Sequence, residues 1–198
     1  MSPGVGSGWT VAQCFLCRET CCVMNEIVIR RVGLEDMDAL QTISRQTFEE
    51  TFAEGNSPEN MAKYLEERLN SDILKTELSN HGSRFYFAEF NGEVIGYLKV
   101  NTGSAQTEYW DGAAVEIERI YVLHEFHGKK VGQVLYDKAI AIAHELHTDT
   151  VWLGVWEKNP RAINFYKKNG FVEFDKHIFR LGDDEQTDIM MKRSLCDP

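Results

Sequence analysis

Two groups of residues have the types and spacing to do chemistry. From Val115 to Gly132 the chain reads Val-Glu-Ile-Glu-Arg-Ile-Tyr-Val-Leu-His-Glu-Phe-His-Gly-Lys-Lys-Val-Gly. A strand-like run stops at a basic, glycine-bearing turn that opens into an amphipathic helix. Free N–H groups at a helix start, with Lys129 and Lys130 beside them, suit a phosphate-bearing ligand. Within the same run Glu116 and Glu118 lie two apart, hence on one face of a strand. Two carboxylates so placed can bind a cation or accept a proton; the plainer alternative is a salt bridge at the edge of the core. Other candidates fail on geometry. His144-Glu145-Leu146-His147 and His124-Glu125-Phe126-His127 are one residue too short to set both histidines on one helix face as zinc ligands. Gly92 and Gly96 fall within a hairpin pattern and do not form a phosphate loop.

The elements that must position these residues follow from periodicity. Ile27 to Val32 reads as a strand, and apolar residues at helical spacing run from Leu34 to Phe52. Ser57 caps a helix with Pro58 in its first turn, and Met61, Tyr64, Leu65 and Leu69 make its inner face. A short helix is expected over Asp72 to Leu78. Arg84–Phe90 and Glu93–Val100 flank Asn91-Gly92, a strong hairpin signal. Asn101 to Gly112 is a polar loop carrying Tyr109 and Trp110. After the strand ending near Val122, a helix runs to about His147, with Val131, Leu135, Ala139, Ile142 and Leu146 inward. Val151–Trp156 is a strand, Pro160–Asn169 a helix stopped by Gly170, and two strands close the chain near 171–180 and 187–193. The order predicts a mixed α/β sheet with helices on both faces.

Composition bounds the partners. The 198 residues are enough for one domain, 43% hydrophobic and 26% charged, with a net charge of −10. An acidic surface repels a nucleic-acid backbone and suits a cationic small substrate. No apolar run approaches membrane-spanning length, so no membrane partner is expected. Cys14, Cys17, Cys21 and Cys22 crowd the N-terminus and Cys196 stands alone near the end. That is not a disulfide framework, and it points to a reducing, cytoplasmic setting. The four clustered thiols could hold zinc, but no knuckle surrounds them; residues 1–23 are expected to be a disordered extension and 24–198 the domain. No metal is expected.

The Val115–Gly132 block, followed by Asn159-Pro160-Arg161-Ala162-Ile163-Asn164-Phe165-Tyr166-Lys167-Lys168-Asn169-Gly170-Phe171, resembles the GNAT N-acetyltransferase superfamily. The first block resembles its acyl-CoA motif and the second its Asn…Ala…Phe-Tyr…Gly-Phe motif. Glu116–Phe126, Trp152–Asn159 and 182–188 are similar to spermidine/spermine acetyltransferases of the PaiA type. The resemblance implies a mostly antiparallel sheet and acetyl-CoA as co-substrate. It also implies backbone pairing of Ile120, Tyr121 and Val122 with the pantetheine arm, and N–H groups of Gly128, Lys129, Lys130, Val131, Gly132 and Gln133 around the pyrophosphate. Asn159 would bond the cofactor arm, and Tyr166 would sit near the thioester sulfur. His127 and Lys130 depart from the motif's usual Gln/Arg and Gly. Lys130 can serve if its φ is ordinary, whereas a positive φ would disfavour it.

The implied chemistry is direct attack of an amine on the thioester. An alkylamine with a pKa near ~10 is about one part in a thousand free base at pH 7, a gap of about 4 kcal/mol. Glu116 or Glu118 could take the proton; Glu157 and Asp111 are poorer candidates, and Gly154 stands where some relatives place a glutamate. Tyr166 is a weaker acid than a thiol, so a hydrogen bond to the departing sulfur is expected before proton delivery. Tyr109, Trp110, Tyr64 and Phe52 could form an amine pocket. A polyamine is the expected acceptor. A protein N-terminus, lysine or aminoglycoside amine stays open as an alternative, as does an acyl-CoA-binding regulatory module without turnover. A homodimer is also left open.

Overall fold

The structure, a computed structural model, describes residues 26–108, 110, 112–181 and 184–195. The expectations placed on residues 1–23, the five cysteines, Tyr109 and Asp111 lie outside the described residues. The elements are β1 (Val28–Arg31), α1 (Met37–Phe52), α2 (Pro58–Arg68), α3 (Ser71–Ser79), β2 (Ser83–Phe90), β3 (Glu93–Thr102), β4 (Ala114–Val122), α4 (Val131–Glu145), β5 (Thr150–Trp156), α5 (Pro160–Lys168), β6 (Val172–Leu181) and β7 (Asp184–Ser194). One seven-stranded sheet runs in the order β1-β2-β3-β4-β5-β7-β6. Its pairings are antiparallel except β4 with β5. The fold is the mixed, mostly antiparallel α/β sheet that the element order and the resemblance led us to expect.

Local chemistry explains the punctuation. Ser57 accepts from the Asn60 N–H at 3.2 Å with Pro58 at the first helical position. Asn91 (φ 53°) and Gly92 (φ 83°) make the tight β2–β3 turn, which needs positive φ at both positions. Gly170 (φ 84°) follows α5 where a left-handed residue ends a helix. Of the boundaries that differ from the periodicity, two have a plain local cause. The 34–52 segment begins as a 3-10 turn, Leu34–Asp36, because the Asp36 carboxylate caps the Gly33 N–H at 2.8 Å and pairs with Arg30. The helix after β4 stops at Glu145, since His147 turns left-handed (φ 52°).

Each sheet face has its own core. On one side α4 and α5 cover Leu98, Val100, Val115, Ile117 and Val151 with Leu135, Ile142 and Tyr166. On the other, α1, α2 and α3 cover Phe85, Phe87 and Tyr97 with Leu40, Phe48, Leu65 and Leu74.

Strand β4 departs from regularity in two ways that make the site. Lys99 pairs with Arg119 and Val100 with Ile117, so Glu118 is an extra residue with no partner on β3. A bulge of this kind bends its strand and sharpens its twist. It also lets Glu118 and Arg119, though consecutive, join one ion cluster with Lys99 and Glu77 on the α1–α3 side. Second, β4 and β5 pair only at Ala114–Thr150, Val115–Val151 and Glu116–Trp152, and beyond these three rungs no pairing continues. The close β3–β4 approach next to the opening requires Gly96, where a Cβ would lie 2.7 Å from the Tyr121 carbonyl oxygen. Gly96→Ala is therefore expected to destabilise by about 1–3 kcal/mol, as overpacking does, in urea unfolding.

Candidate active site

Past the three rungs, the β4 backbone is presented to an open gap. Leu123 donates its N–H to the Ile95 carbonyl at 2.9 Å. Antiparallel strands alternate hydrogen-bonded and non-hydrogen-bonded pairs, so Tyr121 turns its polar groups to Tyr97 on β3, while Ile120 and Val122 turn theirs to the gap. The Tyr121 polar groups are thus used within the sheet, and its ring lies 5.9 Å from that of Tyr97, while the residue still lines the cavity beside the gap. The Val122 carbonyl accepts from His127 Nε2 at 2.8 Å. That leaves His127 Nδ1 as an acceptor, and the Arg161 guanidinium sits against it. Burial lowers the His127 pKa, which agrees with a neutral ring clamped between strand and arginine.

The gap ends at the start of α4. The first helical bonds run from Gln133 and Val134 to the Lys130 carbonyl, at 3.0 and 3.1 Å. Among the described residues no acceptor meets the N–H groups of Gly128, Lys130, Val131 or Gly132. Lys129, by contrast, gives its N–H to the Phe126 carbonyl at 3.3 Å and lays its ammonium 4.6 Å from the Phe126 ring centre. Gly128 (φ 80°) and Lys130 (φ 65°) are both left-handed. The positive φ makes Lys130 a strained choice, at roughly 1–2 kcal/mol for an L-residue. Lys130→Gly should raise stability by about 0.5–1 kcal/mol in urea unfolding after the entropy of a freer unfolded chain is deducted, while removing a charge beside the open N–H groups.

A cavity of about 730 Å³ follows this surface, bounded by Val122, Gly128, Lys130, Gly132, Asn159 and Tyr166 among others. Asn159 caps α5, its Oδ1 accepting from the Ala162 N–H at 3.0 Å, so its amide NH2 is the part left for a ligand. A second cavity of about 400 Å³ lies on the α1–α3 side, and Tyr166, Trp156, Asn159 and Ile120 belong to both walls. The two spaces meet at Tyr166. Its phenol has no hydrogen-bond partner among the described residues, and burial pushes its pKa well above the ordinary value. A neutral phenol with a free O–H can donate a hydrogen bond but is a poor proton source.

Glu116 and Glu118 both line the second cavity, and both are already engaged. Glu116 is 2% exposed and accepts from the Thr107 N–H (2.9 Å), the Thr107 hydroxyl and Asn101 Nδ2 (3.0 Å). Burial raises its pKa against those hydrogen bonds. Glu118 is bonded by Lys99 Nζ at 2.6 Å and Arg119 Nη2 at 3.0 Å, and also accepts from Asn101. Burial opposes its charge, but Arg119 and Lys99 outweigh burial and lower its pKa. Both cations also reach Glu77 on α3, at 3.0 and 2.8 Å, closing a ring of two cations and two anions. Glu118 so paired is a poor proton acceptor.

A model of the acetyltransferase (GNAT) family matches residues 37–171. The chain belongs to the GNAT acetyltransferase family. Members of this family draw the acetyl group from acetyl-CoA. The GNAT chain is 44% identical over 172 residues to an N-acetyltransferase from the pepI 3′ region of Lactobacillus delbrueckii subsp. lactis, covering 87% of this chain and 99% of that one. It is 26% identical to the spermidine N(1)-acetyltransferase of Thermoplasma acidophilum, covering 84% and 96%. The crystal structure of the PaiA N-acetyltransferase of that organism in complex with coenzyme A superposes with a TM-score of 0.70 at 25% identity, covering 85% and 99%.

Within this GNAT fold the structure brings Ile120, Tyr121, Val122, Gly128, Lys130, Val131, Gly132, Gln133, Asn159 and Tyr166 to one cavity; Lys129 is not among its wall residues. Several participants were not singled out from the sequence. Asn101 and Thr107 hold Glu116, Lys99 and Glu77 complete the ion ring, and Asp188 joins the second cavity from β7. A buried lysine in an apolar strand, Lys99 between Leu98 and Val100, was the one local signal of an ion pair. Of the aromatic candidates, Tyr64 and Phe52 line the second cavity, while Trp110 stacks on Trp152 at 5.7 Å and is not among the residues lining it. Among the described residues no group of three or more His, Cys, Asp or Glu gathers as for a metal, and no helix is long and apolar enough to cross a membrane.

Proposed function

We propose that the protein transfers the acetyl group of acetyl-CoA to a primary amine, and that the amine is a polyamine such as spermidine or spermine. The observation that carries this reading is the meeting of two cavities at Tyr166, one leading to free helix N–H groups and the other walled by acids. The first suits a pyrophosphate with an arm laid along β4: the helix start offers donors to the diphosphate, and the Val122 N–H and the polar groups of Ile120 face the arm as an added strand would. When bound, acetyl-CoA supplies an activated acyl carbonyl. The chain's own part is positional first, since holding two reactants in line lowers the barrier by several kcal/mol. Tyr166 then gives its O–H to the sulfur as negative charge builds there.

The second cavity supports a cationic acceptor. Glu108, Glu116, Glu118 and Asp188 outnumber Arg68 and Arg119 in its wall, and Phe52, Tyr64 and Tyr121 offer ring faces to an ammonium. The net charge of −10 draws a polycation from solution. The test is a thiol-release assay with acetyl-CoA against spermidine, spermine, N-terminal peptides and aminoglycosides. Turnover on spermidine with a KM far below that for a peptide supports the reading. Preference for a peptide N-terminus would replace the acceptor, and uptake of coenzyme A without turnover on any amine would make the protein a binding module.

A further inference from the structure

We propose that Asp188 on β7 is the base that takes the proton from the bound amine, a role that rests on the acetyl-transfer reading. Four carboxylates wall the acceptor cavity. Glu116 is bonded by Thr107 and Asn101, Glu118 by Lys99, Arg119 and Asn101, and Glu108 by His177 Nδ1 at 2.8 Å. Asp188 has no hydrogen-bond or ion-pair partner among the described residues, so its lone pairs are open to a ligand. A base must have an uncommitted lone pair within reach of the proton it accepts, and of the four acids Asp188 is the one that no partner among the described residues engages.

Its place in the sheet favours the second condition, reach. Asp188 is the Cα partner of Trp156 on β5 and of His177 on β6. Its side chain leans across β5 over Gly154, where a Cβ would stand 3.5 Å from Asp188 Oδ2. The absent side chain at Gly154 thus leaves room that the β7 carboxylate approaches, in the cavity wall that Tyr166 shares. Three titratable groups face it: His177 on β6, Glu157 just past β5 and Tyr121 on β4. Burial, with His177 pulling the other way and Glu157 adding to it, raises the Asp188 pKa to about 6. A carboxylate there is ionised at pH 7 yet a stronger base than an exposed aspartate.

The proton accounting closes. An ammonium R–NH3+ gives one proton to the Asp188 carboxylate and becomes R–NH2. Its nitrogen forms the C–N bond to the acetyl carbon, and the C–S bond breaks. The second nitrogen proton ends on the thiol sulfur, and the first leaves Asp188 for solvent. His177, half exposed beside Asp188 and tied to Glu108, stands on the solvent side of that route.

The experiment begins with wild-type coenzyme A uptake by calorimetry and turnover on the best amine of the panel, which test the acetyl-transfer reading by themselves. The kcat/KM profile of the wild type should fall on an acid limb near pH 6. In Asp188→Asn, kcat/KM at pH 7 should drop about 100-fold, as for loss of a general base. The limb near pH 6 should vanish, and the rate should climb tenfold per pH unit toward the amine's own pKa. Coenzyme A affinity should not change, and Asp188→Glu should recover part of the rate. Turnover of Asp188→Asn within twofold of wild type at pH 7, with the same acid limb, overturns the assignment.

Discussion

Replacing Arg119 with methionine is expected to lower the unfolding free energy by about 3–5 kcal/mol, the cost of leaving a buried charge unpaired. Arg119 and Lys99 are 9% and 3% exposed, and together they neutralise Glu77 and Glu118 through four contacts of 2.6–3.0 Å. With the guanidinium gone, two carboxylates share one lysine in a poorly solvated pocket. For a domain of this size the loss corresponds to a fall in Tm of roughly 10 °C, measurable by calorimetry. The pH dependence tells this apart from lost packing. Glu118 is lowered in the folded state, so its contribution is full above the unfolded value of 4.5 and fades as pH falls through the lower folded value. In the variant an under-neutralised carboxylate should instead protonate readily. The gap between wild type and Arg119→Met should therefore narrow in acid; a gap constant from pH 7 to pH 4 would show that the charge is not the cause.

Tyr166→Phe is expected to lower kcat about 100-fold while coenzyme A affinity stays within twofold. Removing one preorganised donor to developing charge costs about that much elsewhere. The ring itself is 6% exposed and packs against Phe165 and Phe171 at 5.3 and 5.6 Å, contacts that phenylalanine keeps. Burial raises the Tyr166 pKa, so the phenol stays neutral throughout the working range and the variant's pH profile should keep its shape. Steady-state kinetics with calorimetry decides it: unchanged kcat would reduce Tyr166 to a packing residue.

Local sequence carried most of the fold and the part of the site that is made of local chemistry. The Asn91-Gly92 turn, the Ser57-Pro58 and Asn159-Pro160 helix starts and the Gly170 stop each need only a few neighbouring residues, and all are legible. The helix start with its open N–H groups was legible for the same reason. What was not legible depends on register. The alternation of β4 breaks at Glu118 only because β3 passes it without a partner, and no residue type announces that. The ion ring joins β3 and β4 to Glu77 on α3, so two glutamates that look available in the sequence turn out to be engaged. Asp188 falls in an expected strand beside polar neighbours, and its place over Gly154 exists only once β7 lies against β5.

The three rungs between β4 and β5 have a wider meaning. One half-sheet, β1 to β4, carries the backbone edge and the ion ring; the other, β5 to β7 with α5, carries Tyr166 and Asp188. In the proposed reaction, reagent handling and proton handling would sit on opposite leaves of a book whose spine is three residues long, and a molecule slipped between the leaves would touch both pages at once.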